Sequence, residues 1–182
     1  MIAATSDRYV PDFPKLDLGC GRVPFGGFTG VDKDWGPNII GWNLLEFPWP
    51  WADQSIEALR SSHLIEHLPA YPWQGKDILV RFFEEAWRIC KPGALFHLRW
   101  PVPFDVQTGA PIPSAWWDPT HYRHIPHEQI TSYFWRDGRK AMDVEGYGIR
   151  CNWAPTRPIH VRNLTNDGRV QEYDAELRRE DL

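Results

Sequence analysis

The stretch KLDLGCGRVPFGGFTGVDKD, residues 15–34, constrains the fold of this chain most strongly. An apolar run at residues 15–18 leads into Gly19, and a second run at residues 28–32 ends at Asp32. Two short strands around a tight glycine turn predict an open α/β sheet with a ligand at its carboxyl edge, because glycine lets the backbone approach closely. The connecting RVPFGGFTG is too rich in proline and glycine to form the usual intervening helix, so we expect a loop.

Length and charge narrow the class of protein. A chain of 182 residues predicts a single domain, and a net charge of −4 disfavours non-specific nucleic-acid binding. Cys20, Cys90 and Cys151 are dispersed and show no C-x-x-C spacing, which is typical of free thiols in a reducing compartment. Since there is no basic-then-apolar leader and no apolar run of membrane length, we expect a cytoplasmic protein.

Four patterns beyond residue 34 extend the α/β prediction. NIIGWNL predicts a third strand, and SIEALRSSHLIEHLP predicts a strand followed by one helical turn that closes at Pro69. KDILVRFFEEAWRICKPG has helical spacing and is predicted to stop at Pro92-Gly93, before the strand ALFHLRW. Strands that alternate with connections and one strong helix indicate an open sheet.

The second half of the chain has a different composition and residue pattern. Residues 101–127 are rich in proline, tryptophan and histidine, and loops of this length often act as lids. The aromatic rings of this loop either fix it to the core or line a substrate pocket. HEQITSYFWRDG predicts a helix capped by Gly138, and two runs around Asn166-Asp167-Gly168 predict a hairpin. The predicted segments are an extension (1–14), a cofactor-binding half (15–100), a lid or acceptor loop (101–127) and a C-terminal helix and hairpin (128–182).

The glycine turn does not fit a phosphate-binding motif. Gly19 and Gly21 match G-x-G-x-x-G, but Pro24 occupies the third glycine position, and no P-loop pattern occurs. Asp32, at the end of the second strand, is placed to accept hydrogen bonds from both hydroxyls of a ribose. Asp17 is placed to hold the amides of the turn or a ligand ammonium. A nucleoside with a cationic amino-acid tail satisfies both features.

LDLGCG followed by GVDKD resembles the class I S-adenosylmethionine-dependent methyltransferases. SIEALRSSHLIEHLP is similar to the family's fourth-strand segment, and EAWRICKPGALFHLRWP to its next helix, turn and strand, so the resemblance covers residues 15–103. The short first connection is similar to that of a compact subgroup of predicted methyltransferases that lack the first helix. Four motifs in the family's order make a chance match improbable.

The resemblance implies a fold, a cofactor and a set of site residues. The fold is a Rossmann-like α/β sheet of order 3-2-1-4-5-7-6 with strand 7 antiparallel, completed by the two tail runs. The cofactor is S-adenosylmethionine, with the methionine end at the glycine turn, the ribose at Asp32, the adenine at Asn43 and Leu44, and the sulfonium beside Ser62 and His63. The implied cofactor-binding residues are Asp17, Leu18, Gly19, Cys20, Gly21, Asp32, Lys33, Asn43, Leu44, Ser62 and His63.

Histidines supply the candidates for catalysis. HLIEH matches the inverted zinc-protease motif H-x-x-E-H, but that motif needs a long helix and a third ligand, and Pro69 ends this one, so we predict no metal site. DPTHYRHIPHEQI brings three further histidines into the lid, either to fix the loop and cap the next helix or to face the substrate. His121 is the first candidate for a base or acceptor ligand, and His63 is the second.

Three functions remain open from the sequence. The first is methyl transfer to a small-molecule or sugar-type acceptor, and the second is a binding module or assembly subunit without transferase activity. The third is nucleic-acid methylation, which the absence of a D/N-P-P-Y-type signature disfavours, although Arg157, Arg162 and Arg169 offer a local basic patch. The short first connection leaves one sheet face bare, so we expect Phe25, Phe28, a second copy or another partner to cover it.

Overall fold

One eight-stranded sheet forms the centre of the structure, a computed structural model that describes residues 14–105, 108–165 and 170–182. Its strands are β1 (Lys15–Leu18), β2 (Thr29–Asp32), β3 (Ile39–Gly41), β4 (Ile56–Ser62), β7 (Cys90–Pro101), β8 (Trp153–Pro155), β9 (His160–Asn163) and β10 (Gln171–Arg179). A two-stranded hairpin, β5 (Pro72–Trp73) and β6 (Lys76–Asp77), lies apart from it.

The strand order confirms the predicted sheet. The strands follow one another as β3-β2-β1-β4-β7-β10-β8, with the first five parallel and β10 antiparallel to β7. The prediction for the tail was wrong in one respect, because YGIRCNW enters the sheet only at Trp153. β8 and β9 pair with opposite ends of β10, so the last strand of the predicted order consists of two segments. The turn predicted at Asn166-Asp167-Gly168 lies outside the described residues.

Helix α1 (Ile78–Ile89) packs its apolar stripe against one face of the sheet. Asp77 caps its first turn by accepting a hydrogen bond from the Leu79 amide at 2.8 Å. The predicted end at Pro92-Gly93 was too late. Cys90 already has extended backbone angles and pairs with Ile56, so the chain leaves the helix directly into β7.

The segment after β7 contains three short helices: α2 (Pro113–Trp116), α3 (His127–Phe134) and α4 (Arg136–Ala141). Gly138 was wrongly predicted as a C-cap, because α3 ends where Trp135 turns extended and Gly138 lies inside α4. A Cβ at Gly138 would overlap the Thr131 carbonyl oxygen, so glycine permits close packing of the two helices. No helix in the described ranges is long and apolar enough to cross a membrane.

The opposite face of the sheet is polar. As predicted, residues 19–28, all of which the structure describes, form no helix, so this face receives no first helix. Asp17, Arg60, His97 and Glu176 follow one another in register across four strands. Arg60 pairs with Asp17 at 2.9 Å and His97 with Glu176 at 3.5 Å. An ion-paired surface of this kind is compatible with water and does not require an apolar cover.

Phe25 and Phe28 cover only one corner of this polar face. Their ring centroids are 5.9 Å apart, and the Arg60 guanidinium lies 4.6 Å from the Phe25 ring centroid. The two rings and the neighbouring polar side chains border a shallow hollow of about 200 Å³. The prediction that these phenylalanines help to cover the face agrees with this placement.

Gly30 in β2 is expected to tolerate no side chain. A Cβ there would lie 2.5 Å from Cys20 Sγ and 2.9 Å from Pro24 Cγ, whereas a Cβ on Gly26 would meet no atom within 4 Å. We expect Gly30→Ala to lower the free energy of unfolding by about 1–3 kcal/mol, the usual cost of overpacking. Gly26→Ala is the matched control, with little loss expected in urea denaturation. Equal stability of the two variants would contradict the tight packing of the glycine turn beneath β2.

Candidate functional site

A cleft of about 500 Å³ opens at the carboxyl ends of β1, β2 and β4. The chain passes from β1 to β2 and β3 on one side and returns to β4 on the other, which is the switch point where open α/β sheets bind ligands. Its lining residues are Gly19, Gly21, Asp32, Lys33, Trp42, Asn43, Leu44, Leu45, His63, Leu64, His67 and Leu68. The volume suits a small ligand or cofactor.

The glycine turn and Asp32 are joined directly. Gly19 and Gly21 both have positive φ, at 68° and 62°, which few other residues adopt at low cost. The Gly19 amide donates to the Val31 carbonyl at 2.8 Å, and the Gly21 amide donates to Asp32 Oδ2, also at 2.8 Å. The carboxylate at the end of β2 therefore fixes the turn and borders the cleft at the same time.

Asp17 holds the turn from below and does not line the cleft. Its Oδ2 accepts a hydrogen bond from the Phe25 amide and its Oδ1 one from Arg60 Nη1, both at 2.9 Å. The sequence left two roles open for Asp17, a bond to amides of the turn or to a ligand ammonium. The structure shows a bond to one backbone amide, that of Phe25. The carboxylate is almost fully buried, so its ion pair with Arg60 matters for the shape of the turn.

Three further residues that the resemblance implied lie outside the cleft lining. Leu18 is buried in the core, and Ser62 is the last residue of β4, opposite Arg99 of β7. The Cys20 thiol points beneath β2, and burial raises its pKa to about 11, which keeps it protonated and unreactive. The structure therefore brings together Gly19, Gly21, Asp32, Lys33, Asn43, Leu44 and His63 from the implied set.

Trp42 is a lining residue that the sequence did not single out. Its indole Nε1 is buried and has no hydrogen-bond partner among the described residues. Asn43 beside it accepts the Leu45 amide at 3.1 Å, and Leu44 is buried at the base of this segment. A buried donor without a partner is costly unless a ligand accepts from it. Nothing in the sequence distinguished this tryptophan, which follows a short strand, as a cleft residue.

His63 lies between two buried carboxylates. Its Nδ1 is 3.2 Å from Glu66 Oε1 and its Nε2 is 3.0 Å from Glu172 Oε2. Contact with the Glu66 carboxylate, and then with Glu172, raises the pKa of His63 against the opposing effect of burial. The residue also has a φ of 55°, an unusual conformation for a side chain of this size. Long-range contact with β10 creates this environment, which local sequence did not reveal.

The segment 101–127, predicted as a lid or acceptor loop and called the lid segment below, crosses the short 3-10 turn at Ile65–His67. This turn was predicted as one helical turn. The amides of Tyr122 and Arg123 donate to the Glu66 carbonyl at 2.9 and 3.1 Å. His121 is nearly buried and does not line the cleft. Its ring centroid lies 4.8 Å from that of His67, and His67 lines the cleft. His121 is therefore separated from the cleft by one imidazole.

Comparison with known proteins identifies the fold. No protein-family model and no curated protein matches the chain. It is similar to the solved structure of a SAM-dependent methyltransferase from Archaeoglobus fulgidus, with a TM-score of 0.55 and 16% identity over 94% of this chain and 90% of that one. It is also similar to the [4+2]-cyclase SpnF, with a TM-score of 0.54 and 11% identity over 92% and 74% of the respective chains.

An RNA-modifying enzyme has the same architecture. The 16S rRNA (adenine(1408)-N(1))-methyltransferase W203A mutant from Catenulisporales acidiphilia has a TM-score of 0.51 and 9% identity over 94% of this chain and 87% of that one. The chain thus has the Rossmann-like fold of class I SAM-dependent methyltransferases, as the sequence motifs predicted. Since enzymes with different reactions share it, the fold leaves the acceptor undetermined.

The ion pair beneath the glycine turn should contribute measurably to stability. In the Arg60–Asp17 pair the side chains are 19% and 2% exposed, whereas in the Lys91–Glu57 pair both are 47% exposed. We expect Arg60→Ala to cost about 2–3 kcal/mol, because it leaves a buried carboxylate without its cation. Lys91→Ala should cost much less, because that pair is solvated. Urea denaturation of both variants measures the difference, and equal losses would contradict it.

Proposed function

We propose that this protein binds S-adenosylmethionine in the cleft at the carboxyl edge of the sheet and transfers its methyl group to a small-molecule, sugar-type acceptor. The observation that carries the proposal is the Asp32 carboxylate, which the Gly21 amide fixes at the border of the cleft. A carboxylate offers about four acceptor positions, so contact with one amide leaves capacity for both hydroxyls of a ribose. A ribose-binding acid at this position is typical of nucleotide sites in α/β folds.

The remaining lining residues fit the other parts of the cofactor. Gly19 and Gly21 expose backbone to the methionine end, and Leu44 with Asn43 provides an apolar and a polar contact for the adenine. The Trp42 side chain adds an aromatic surface to the same part of the lining. A carboxylate beside an apolar and aromatic surface suits a nucleoside better than a phosphate.

The cofactor, when bound, supplies a methyl group on a positively charged sulfur. Transfer in line to a nucleophile depends mainly on alignment and exclusion of water, a role that we assign to the cleft walls. A hydroxyl acceptor must also lose a proton. His63 is a poor base because its raised pKa favours the protonated form. Both of its ring nitrogens face carboxylates, so we assign it a role in holding the cleft wall. His121 reaches the cleft only through His67.

Exposed aromatic rings on the lid segment support a sugar-type acceptor. Trp117 is 80% exposed and Tyr122 60%, and Phe104 and Trp116 are partly exposed in the same segment. The Tyr122 amide contacts Glu66, so this part of the lid segment borders the turn that carries the cleft residues Leu64 and His67. Flat aromatic faces give large apolar contacts at low entropic cost, which suits the apolar faces of sugar rings.

The tail arginines give less support for a nucleic-acid acceptor. Arg157 binds Asp174 at 2.7 Å and Arg162 binds Glu172 at 2.8 Å, so both cations of this patch in the described ranges are already paired. Arg169 lies outside the described residues. A phosphate backbone would have to displace these acids before it gained the attraction.

Asp32→Ala should weaken binding of S-adenosylmethionine and S-adenosylhomocysteine. We expect a loss of about 1.5–3 kcal/mol, roughly 10- to 150-fold in Kd, the scale for losing a charged hydrogen-bond acceptor. Asp34→Ala is the matched control, since Asp34 is exposed nearby and does not line the cleft. Calorimetric titration of the three proteins measures the effect. Equal affinity of Asp32→Ala and wild type would refute the ribose assignment.

The acceptor assignment needs a separate assay, in which a panel of simple sugars and nucleotide sugars is screened for release of S-adenosylhomocysteine. For a sugar that is methylated, we expect Trp117→Ala to raise KM without changing cofactor affinity. Trp35→Ala, also strongly exposed but outside the lid segment, should leave KM unchanged. An unchanged rate in His121→Ala would remove His121 from a role as base. Cofactor binding without methylation of any sugar would favour the binding module or a different acceptor.

A further inference from the structure

Three side chains of metal-ligand type converge where the lid segment crosses the 3-10 turn. Glu66 and His67 come from the turn and His121 from the lid segment, and one ligand atom from each lies within 4.8 Å of the other two. The cluster lies beside the proposed cofactor cleft, since His67 also lines it. Neither the proposed methyl transfer nor the cofactor-binding residues account for Glu66.

The Glu66 carboxylate has fewer partners than a buried acid usually has. Its side chain is 2% exposed, and within the described part of the chain neither of its oxygens accepts a hydrogen bond. Among the described residues it forms one ion pair, with His63, whose Nδ1 is 3.2 Å from Oε1. Burying a carboxylate in this state is costly, and such charges are normally paired or bound to a metal.

Both histidines present an unprotonated Nε2 when neutral. His67 Nδ1 is 3.0 Å from the Thr120 carbonyl oxygen, and His121 Nδ1 is 2.9 Å from the Ala115 carbonyl oxygen. A carbonyl oxygen only accepts, so each Nδ1 must be the donor and the lone pair of each neutral ring lies on Nε2. Histidine ligands of metals are typically oriented in this way by a backbone carbonyl.

Asp118 borders the cluster on the side of His121 and is not one of the three residues whose ligand atoms lie within 4.8 Å of one another. Its Oδ1 accepts hydrogen bonds from the amide and hydroxyl of Thr120, at 2.8 and 2.6 Å, which leaves Oδ2 directed towards His121. Oδ2 is 3.6 Å from His121 Nε2. Two ligands at about 2.0 Å from a tetrahedral zinc ion lie about 3.3 Å apart. The Asp118–His121 pair therefore needs a small contraction, and the three ligand atoms that lie within 4.8 Å of one another need a larger one.

We propose that Glu66, His67 and His121, with Asp118 as a fourth ligand, bind a divalent transition metal ion, for which Zn²⁺ has the matching preference for two imidazoles and two carboxylates. The ion would join the lid segment to the turn at the edge of the cleft. This set differs from the H-x-x-E-H pattern weighed from the sequence, in which His63 is a ligand and the glutamate a base. Here His63 contacts Glu66 and Glu172 and is not a ligand, and Glu66 itself is one. Metal binding at this cluster does not depend on the proposed methyl transfer.

The test uses the full chain after treatment with a chelator. Calorimetric titration with Zn²⁺ and metal analysis after dialysis should give one ion per chain, and Co²⁺ should give the intense visible absorption of a tetrahedral site. His121→Ala should weaken Zn²⁺ binding more than about 100-fold, because even loss of an outer-shell partner typically costs about 10- to 100-fold. His160→Ala, an exposed histidine on β9, is the control and should bind as the wild type does.

A second measurement guards against misfolding of a variant. Zn²⁺ should raise the Tm of the wild type and of His160→Ala but not that of His121→Ala, whose Tm without metal shows whether it has folded. Glu66→Gln, which preserves the volume of the buried side chain, should also lose the shift. No Zn²⁺ binding by the wild type would overturn the proposal in favour of protonated histidines paired with Glu66 and Asp118. Undiminished binding by His121→Ala would overturn it as well.

Discussion

Two carboxylates that hold a glycine turn are the constraint on which the rest of this structure depends. In most sheets of this kind a helix follows the first strand, but here a loop of ten residues, 19–28, must keep its shape alone. Asp17 binds the Phe25 amide from below and Asp32 binds the Gly21 amide from the side. The same bonds leave Asp32 at the border of the cleft, so the stability of the turn and the proposed binding of ribose depend on one geometry.

The missing helix also determines the character of the open sheet face. A helix would pack on apolar residues, but this face carries a row of ion-paired side chains. The row runs from Asp17 through Arg60 to residues of β7 and β10. The apolar core lies on the other face, where α1 and the buried tryptophans Trp49 and Trp51 pack. With one face polar and the other filled by the core, the carboxyl edge of the sheet is the expected place for a ligand.

The sequence predicted the features that depend on local pattern. The strands around the glycine turn, the absence of a first helix, the body of α1 and the strand order followed from apolar runs, glycine positions and family resemblance. The features it missed depend on contacts between distant segments. Gly138 permits close packing of α3 and α4, and His63 meets Glu172 from β10. Trp42 lines the cleft with an indole Nε1 that has no hydrogen-bond partner among the residues described. Glu66 and His121 are far apart in the sequence and come together because residues 101–127 pack against the 3-10 turn. Residue spacing does not predict this contact.

The central claim is that the cleft between Asp32 and Leu44 binds the nucleoside of S-adenosylmethionine. A crystal structure of the protein with S-adenosylhomocysteine tests it most directly. The account predicts both ribose hydroxyls at the Asp32 carboxylate, the adenine beside Trp42 and Leu44, and the amino-acid end at the glycine turn. Ligand bound at another surface, or an Asp32 carboxylate turned away from the ribose of a ligand in the cleft, would contradict it.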